Sequence, residues 1–136
     1  GMLLHNSKRV RVLVVYKNQV LLQRTSVGSQ KWSVPGGGIE KNENPLAAAI
    51  RETAEEVGVT VNEDQLTCLG EQRRSARKGN WPMVDVVFYA AKLSSKQEVH
   101  ISRPLEILEA GWFTVTDLPE NCSETLIAAL ELAGLS

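Results

Sequence analysis

Hydrophobic and polar positions alternate along this chain with two different periods. Residues 8–16 (KRVRVLVVY) and 20–24 (VLLQR) are apolar, β-branched runs, and Lys17-Asn18-Gln19 between them reads as a hairpin turn. Trp32, Ser33 and Val34 form a short strand that enters the turn Pro35-Gly36-Gly37-Gly38. The period then lengthens. Leu46, Ala49, Ile50, Thr53 and Val57 share one face of a helix, with Asn44 as N-cap, Pro45 at the first position and Gly58 placed to end it. Strands follow near 65–75 and 83–92, joined by the polar turn Arg77-Lys78-Gly79-Asn80. A short strand near 110–114 precedes a C-terminal helix near 123–133, which puts Leu126, Ile127, Leu130 and Ala133 on one side. This order of elements predicts an α+β layered fold with a mixed sheet. Residues 1–136 are expected to form a single domain, with Gly1 before Met2 read as a tag remnant.

The helix near 45–57 carries the candidate chemistry. At 100° per residue, Glu55 and Glu56 lie about −60° and +40° from Glu52, so three carboxylates share a face beside the apolar one. Like charges that close raise one another's pKa unless a cation sits among them. An oxygen cluster suits Mg²⁺ or Mn²⁺ better than Zn²⁺. Taken alone, the same pattern also describes a solvated acidic helix side, with Arg51 and Glu55 as an ordinary i,i+4 pair. The three glycines before the helix likewise describe a tight turn.

The full spacing decides between these readings. Gly37, five residues, Glu43, seven residues, then Arg51, Glu52, Thr53, Ala54, Glu55, Glu56, Val57, Gly58 and Val59 resembles the Nudix box, over residues 37–59. Seven fixed identities match, which composition alone would produce on the order of once in a million chains this long. One slot departs: Thr53 stands where that family usually has an aliphatic residue. The resemblance implies the Nudix fold, an α/β/α sandwich with a mixed sheet between helices. It also implies hydrolysis of a nucleoside diphosphate linked to another group, with Mg²⁺ or Mn²⁺ as cofactor. Carried over position by position, Glu52, Glu55, Glu56 and the carbonyl of Gly36 are the expected metal ligands, and Glu52 could instead orient the water. Arg51 is expected to anchor the constellation through Glu43. Many members add a loop carboxylate; six residues before Trp112 selects Glu106 as metal ligand or base, with Glu109 as competitor.

Substrate contacts are less defined. Arg24 ends the second strand where some relatives contact phosphate, and Asn121 matches, loosely, a base-reading asparagine of MutT-type members. Arg73, Arg74, Arg77 and Lys78 cluster on one hairpin, and Trp81 lies next to its turn as a pocket candidate. Trp32 and Phe88 read as core, and His5 and His100 as surface. Two marks of neighbouring subclasses are missing: the proline about sixteen residues after the box, and the tyrosine of diadenosine-polyphosphate hydrolases.

Charge narrows the partners. The chain has 136 residues and a net charge of −1, with a pI near 6.2. Nothing global attracts nucleic acid or an anionic membrane, so a small nucleotide is the expected partner and a homodimer stays open. No apolar run approaches a transmembrane helix, and the N-terminus lacks a signal-peptide core. Cys68 and Cys122 read as buried free thiols in a cytoplasmic protein. Two other classes compete with a hydrolase. A nucleotide sensor would show eroded box acids, whereas all are present; a processor of RNA 5′ ends would need a larger basic footprint.

Overall fold

The computed structural model describes residues 8–75 and 83–136. Its elements are β1 (Lys8–Tyr16), β2 (Gln19–Thr25), β3 (Trp32–Ser33), β4 (Gly36–Gly38), α1 (Pro45–Val57), a 3-10 turn (Glu63–Gln65), β5 (Leu66–Ser75), β6 (Met83–Lys92), β7 (Ile107–Thr114) and α2 (Glu124–Leu132). The strands make one seven-stranded sheet, and it is mixed because β1 runs parallel to β6 while the other pairs are antiparallel.

β1 is the strand on which the sheet divides. One edge pairs with β6 from Lys8–Asp85 to Val15–Lys92. The other edge is shared. Its C-terminal end pairs with β2 at Val15–Val20 and Tyr16–Gln19, and its N-terminal half pairs with β4 from Arg9–Gly38 to Arg11–Gly36. β2 then leaves β1 and runs between β3 and β7. The side-chain alternation of β1 serves two cores. Val10, Val12 and Val14 pack with Val87, Tyr89 and Ala91 of β6 and with Ala48, Ala49 and Val57 of α1. Leu13 and Val15 pack with Val84, Val86 and Phe88 and with Leu126, Ala129 and Leu130 of α2. The two helices therefore cover opposite faces, giving the expected sandwich.

Several local expectations change. Gly36-Gly37-Gly38 is a strand rather than a turn, because residues without a side chain can lie against β1. β7 starts three residues before the expected strand and pairs along the whole of β2. Ile127 is exposed, so the buried stripe of α2 is Leu126, Ala128, Ala129 and Leu130. Phe88 is fully buried, as expected of core, while Trp32 is half-buried and meets Phe113 edge-on with ring centres 4.9 Å apart. Both cysteines are free, but Cys68 is exposed because β5 is an edge strand, and Cys122 is only partly buried. The expected turn 77–80, Trp81 and His5 lie outside the described residues.

Gly36 shows how closely β1 and β4 approach. A methyl group there would lie 2.1 Å from the Val10 carbonyl oxygen and 2.8 Å from Arg11 Cδ. Backbone cannot give way as a flexible side chain can. Gly36→Ala should therefore cost about 2 kcal/mol or more, measured as a lower urea midpoint with an unchanged m-value.

Candidate active site

α1 is held at both ends. Asn44 Oδ1 accepts from Ala47 N at 2.7 Å, Pro45 occupies the first turn, and Gly58 closes the helix at φ 68° with its N–H on Ala54 O. Val57, Ala48 and Ala49 fix the helix on β1. Thr53, the departure from the box pattern, is fully buried and turns its hydroxyl onto Ala49 O at 2.8 Å. That packing leaves Glu52 and Glu56 facing the glycine strand, with only 7% and 8% of their surfaces exposed. The box glycine is explained by contact: a methyl on Gly37 would lie 2.5 Å from Glu52 Oε2.

Arg51 gathers the acids. Its Nε and Nη2 bind Glu43 in a bidentate pair at 2.7 and 2.8 Å. Its Nη1 donates to Glu52 Oε2 at 3.0 Å and to Glu55 Oε1 at 3.1 Å, and Nη2 also reaches Gly38 O. Hydrogen bonds from Arg51 hold the Glu43 carboxyl down at about 2. The Arg51 pKa is raised in turn, first by Glu43 and further by Glu52.

Glu56 sits in the wedge where β1 and β2 part. Its Oε1 accepts from Gln23 Nε2 at 2.8 Å and from Gly36 N at 3.2 Å. Burial pushes this carboxyl up to about 7, against the opposing pull of those two donors and of Arg11. Gly36 lies opposite Arg11 at a position that is not hydrogen-bonded across the ladder. The bonds Val12 N to Pro35 O and Ile39 N to Lys8 O fix the alternate pairs as the bonded ones. Its N–H and C=O therefore both face away from β1, on the Glu56 side.

Glu106 reaches this cluster through one arginine. Arg103 donates to Glu55 Oε1 at 2.7 Å and to Glu106 Oε2 at 3.4 Å. Desolvation opposes the charge on Arg103, but Glu55, Glu106 and Glu52 outweigh it and raise its pKa. Glu109 is engaged elsewhere. It faces Arg24 across β2 and β7 and accepts from Arg24 Nε at 3.1 Å and from Nη2. The Arg24 guanidinium also lies 5.7 Å over the Trp32 ring.

Of the other expected substrate residues, Arg73 and Asn121 are bonded elsewhere. Arg73 pairs with Asp85 on the next strand at 3.1 Å. Asn121 is exposed; its backbone carbonyl receives Trp32 N at 2.7 Å, and Ser123, not Asn121, caps α2. His100 is exposed. Three site residues escaped the sequence reading: Gln23, Arg11 and Arg103. Gln23 had a signal, being polar in an otherwise apolar run. Arg11 is a half-buried strand residue whose guanidinium lies deep enough for desolvation to lower its pKa; it donates to Val34 O at 3.0 Å. Arg103 carried no pattern.

The donor set fits a hard divalent ion: clustered carboxylate oxygens, a free backbone carbonyl and no thiolate or imidazole. Among the described residues, no three acidic, histidine or cysteine side chains converge at metal-binding distance. The reason is visible in the hydrogen bonds, since Arg51, Arg103 and Gln23 occupy oxygens of Glu52, Glu55 and Glu56.

Fold and acid constellation together define a Nudix-type domain. Residues 5–130 match the family model described as the NUDIX domain, and the chain belongs to that family. The human diphosphoinositol polyphosphate phosphohydrolase NUDT4B is 34% identical over 101 residues, covering 74% of this chain and 52% of that protein. A mouse relative, diphosphoinositol polyphosphate phosphohydrolase 3-alpha, is 33% identical over 101 residues, covering 74% and 58%. The chain thus spans only about half the length of these relatives. Among solved structures, the MutT NUDIX hydrolase of Burkholderia pseudomallei superposes with a TM-score of 0.82 at 23% identity, over 93% of this chain and 96% of that one. The NUDIX domain of Shewanella oneidensis NrtR, complexed with ADP ribose, gives 0.78 at 20% identity, over 93% and 85%. At these identities the structures show the shared fold.

Removing the shared cation leaves Glu43, Glu52 and Glu55 to repel one another. Arg51→Ala should destabilise by about 2 kcal/mol at neutral pH. A depressed carboxyl pKa stabilises above its ordinary value of 4.5, and that contribution fades as pH falls through about 2. The deficit of the variant should therefore shrink across this acid window, as followed by urea unfolding at several pH values.

Proposed function

We propose that this protein is a Mg²⁺- or Mn²⁺-dependent pyrophosphohydrolase that cleaves the phosphoric anhydride of a small nucleotide in the cytoplasm. A canonical or oxidised nucleoside triphosphate is the first substrate, with nucleotide sugars and dinucleotides behind it. The observation that carries this reading is that Glu52 and Glu56 line the glycine strand while Arg51 ties Glu52 and Glu55 to Glu43. Glu52, Glu55, Glu56 and the Gly36 carbonyl would hold the ion. Once bound, the ion neutralises phosphate oxygens and lowers the pKa of water. Glu52 or Glu106 accepts the proton of the attacking water, while Arg51 and Glu43 keep the acids in place. Arg24, already stacked on Trp32, exchanges Glu109 for a substrate phosphate; Arg73, Trp81 and Asn121 are further proposed contacts. A solved relative of the same fold holds ADP ribose, which supports a nucleotide-shaped ligand.

A second reading takes a diphosphoinositol polyphosphate as substrate. The names of the curated relatives suggest it. Arg9, exposed on β1 opposite Gly38 of the glycine strand, would offer its extra phosphates positive charge. A turnover panel containing nucleoside triphosphates, nucleotide sugars, dinucleotides and an inositol pyrophosphate, with product analysis, separates these readings. Binding without turnover of any of them would turn the assignment to a sensor.

Three outcomes test the chemistry. Glu55→Gln or Glu56→Gln should lower kcat by at least about 10²-fold with the fold retained. EDTA should abolish activity, and Mg²⁺ or Mn²⁺ should restore it; activity that survives chelation would contradict the metal. Glu106→Gln should lower kcat with a modest effect on KM. Glu109→Gln should be milder, since its carboxylate is committed to Arg24. Equal, near-wild-type rates for both would remove this loop from the mechanism.

A further inference from the structure

Gln23 is buried to 1% exposure in the strand that carries Val20, Leu21 and Leu22. Strand alternation places it beside Leu21 on the α1 side, where an aliphatic residue would continue the core. An amide stands there instead, at the point where β2 leaves β1 and α1 closes the gap. Its Nε2 donates to Glu56 Oε1 at 2.8 Å, and its own Oε1 is buried with no hydrogen-bond partner among the described residues. With Glu56 ionised, as a metal ligand must be, this contact sets the orientation of the amide, since reversing it would place two acceptor oxygens 2.8 Å apart. A buried acceptor left unpaired is costly, and a core role would not need it.

We propose that Gln23 is a positioning residue for the metal site. Together with the Gly36 N–H, it engages Oε1 of Glu56, which leaves Oε2 free for the cleft. The unpaired Gln23 Oε1 accepts a hydrogen bond from a water in the hydration shell of the bound divalent ion. Mg²⁺ and Mn²⁺ sites of this kind keep several waters, and such waters need fixed acceptors. This inference rests on the metal-dependent reading above and adds a residue from outside the box.

The test is Mn²⁺ titration of the purified protein, followed by the electron paramagnetic resonance signal of free Mn²⁺. Gln23→Met keeps length and volume but has neither donor nor strong acceptor. Gln23→Asn keeps the amide and withdraws it by one methylene. Both should weaken Mn²⁺ binding by about 10–100-fold, while the metal-free melting temperature stays within about 4 °C of wild type. The half-activating Mn²⁺ concentration should rise by the same factor, and saturating Mn²⁺ should recover most of kcat. Wild-type Mn²⁺ affinity in either folded variant would overturn the proposal and leave the metal reading intact. Loss of folding in both variants would show Gln23 to be structural and overturn it as well. A wild-type protein that binds no Mn²⁺ would remove the metal reading, and this inference with it.

Discussion

Carboxylates crowded onto one helix face repel, and the fold depends on how that repulsion is met. Arg51 meets it by geometry as well as by charge. A planar guanidinium can serve Glu43 in a bidentate pair while its third nitrogen reaches Glu52 and Glu55. A lysine would present one point charge and could not hold the same three groups. Because Glu43 precedes the helix and Gly38 O belongs to the glycine strand, the same side chain ties α1 to the segment before it. The site is thus braced by one residue that touches three parts of the box.

A second constraint comes from the sheet. β1 gives one edge to two different strands, and the gap between β2 and β4 is where Glu56 descends from α1. Burial there makes the charged carboxylate expensive, which is why its pKa climbs despite two hydrogen-bond donors and a nearby arginine. Glycine suits the other wall, since a methyl on Gly36 would strike the Val10 carbonyl and one on Gly37 would displace the Glu52 carboxylate. The glycine run and the acidic helix are two halves of one steric arrangement.

The arginines around the site are already paired. Arg24 binds Glu109, Arg51 binds the box acids, and Arg103 bridges Glu55 and Glu106. Under the proposed function, an incoming polyphosphate with its cation would therefore have to displace carboxylates from these arginines. In the proposed reaction Arg103 would be the pivot of that exchange, because it bonds both Glu55 and, on the loop before β7, Glu106. The loop itself is anchored to the segment after β2 by Ser26, whose N–H and hydroxyl bind Glu106 O and Leu105 O at 2.7 Å each.

Local periodicity and capping chemistry made α1, its ends and its acidic face legible in the sequence, because a helix is a short-range object and Asn44, Pro45 and Gly58 act within a turn of it. The mixed sheet followed from the order of apolar runs, and the Arg51–Glu43 pair from the resemblance to the Nudix box. Other features required contacts between distant segments. The glycine run is a strand only because β1 lies beside it. Ile127 is exposed only because α2 settles on β1 and β6 by Leu126 and Leu130. Gln23 and Arg11 join the site through a wedge formed by strands that diverge, and Arg103 meets Glu55 from 48 residues away. Spacing along a chain reports neighbours within an element; which side chains converge across a sheet is decided by how its strands part and what packs into the gap.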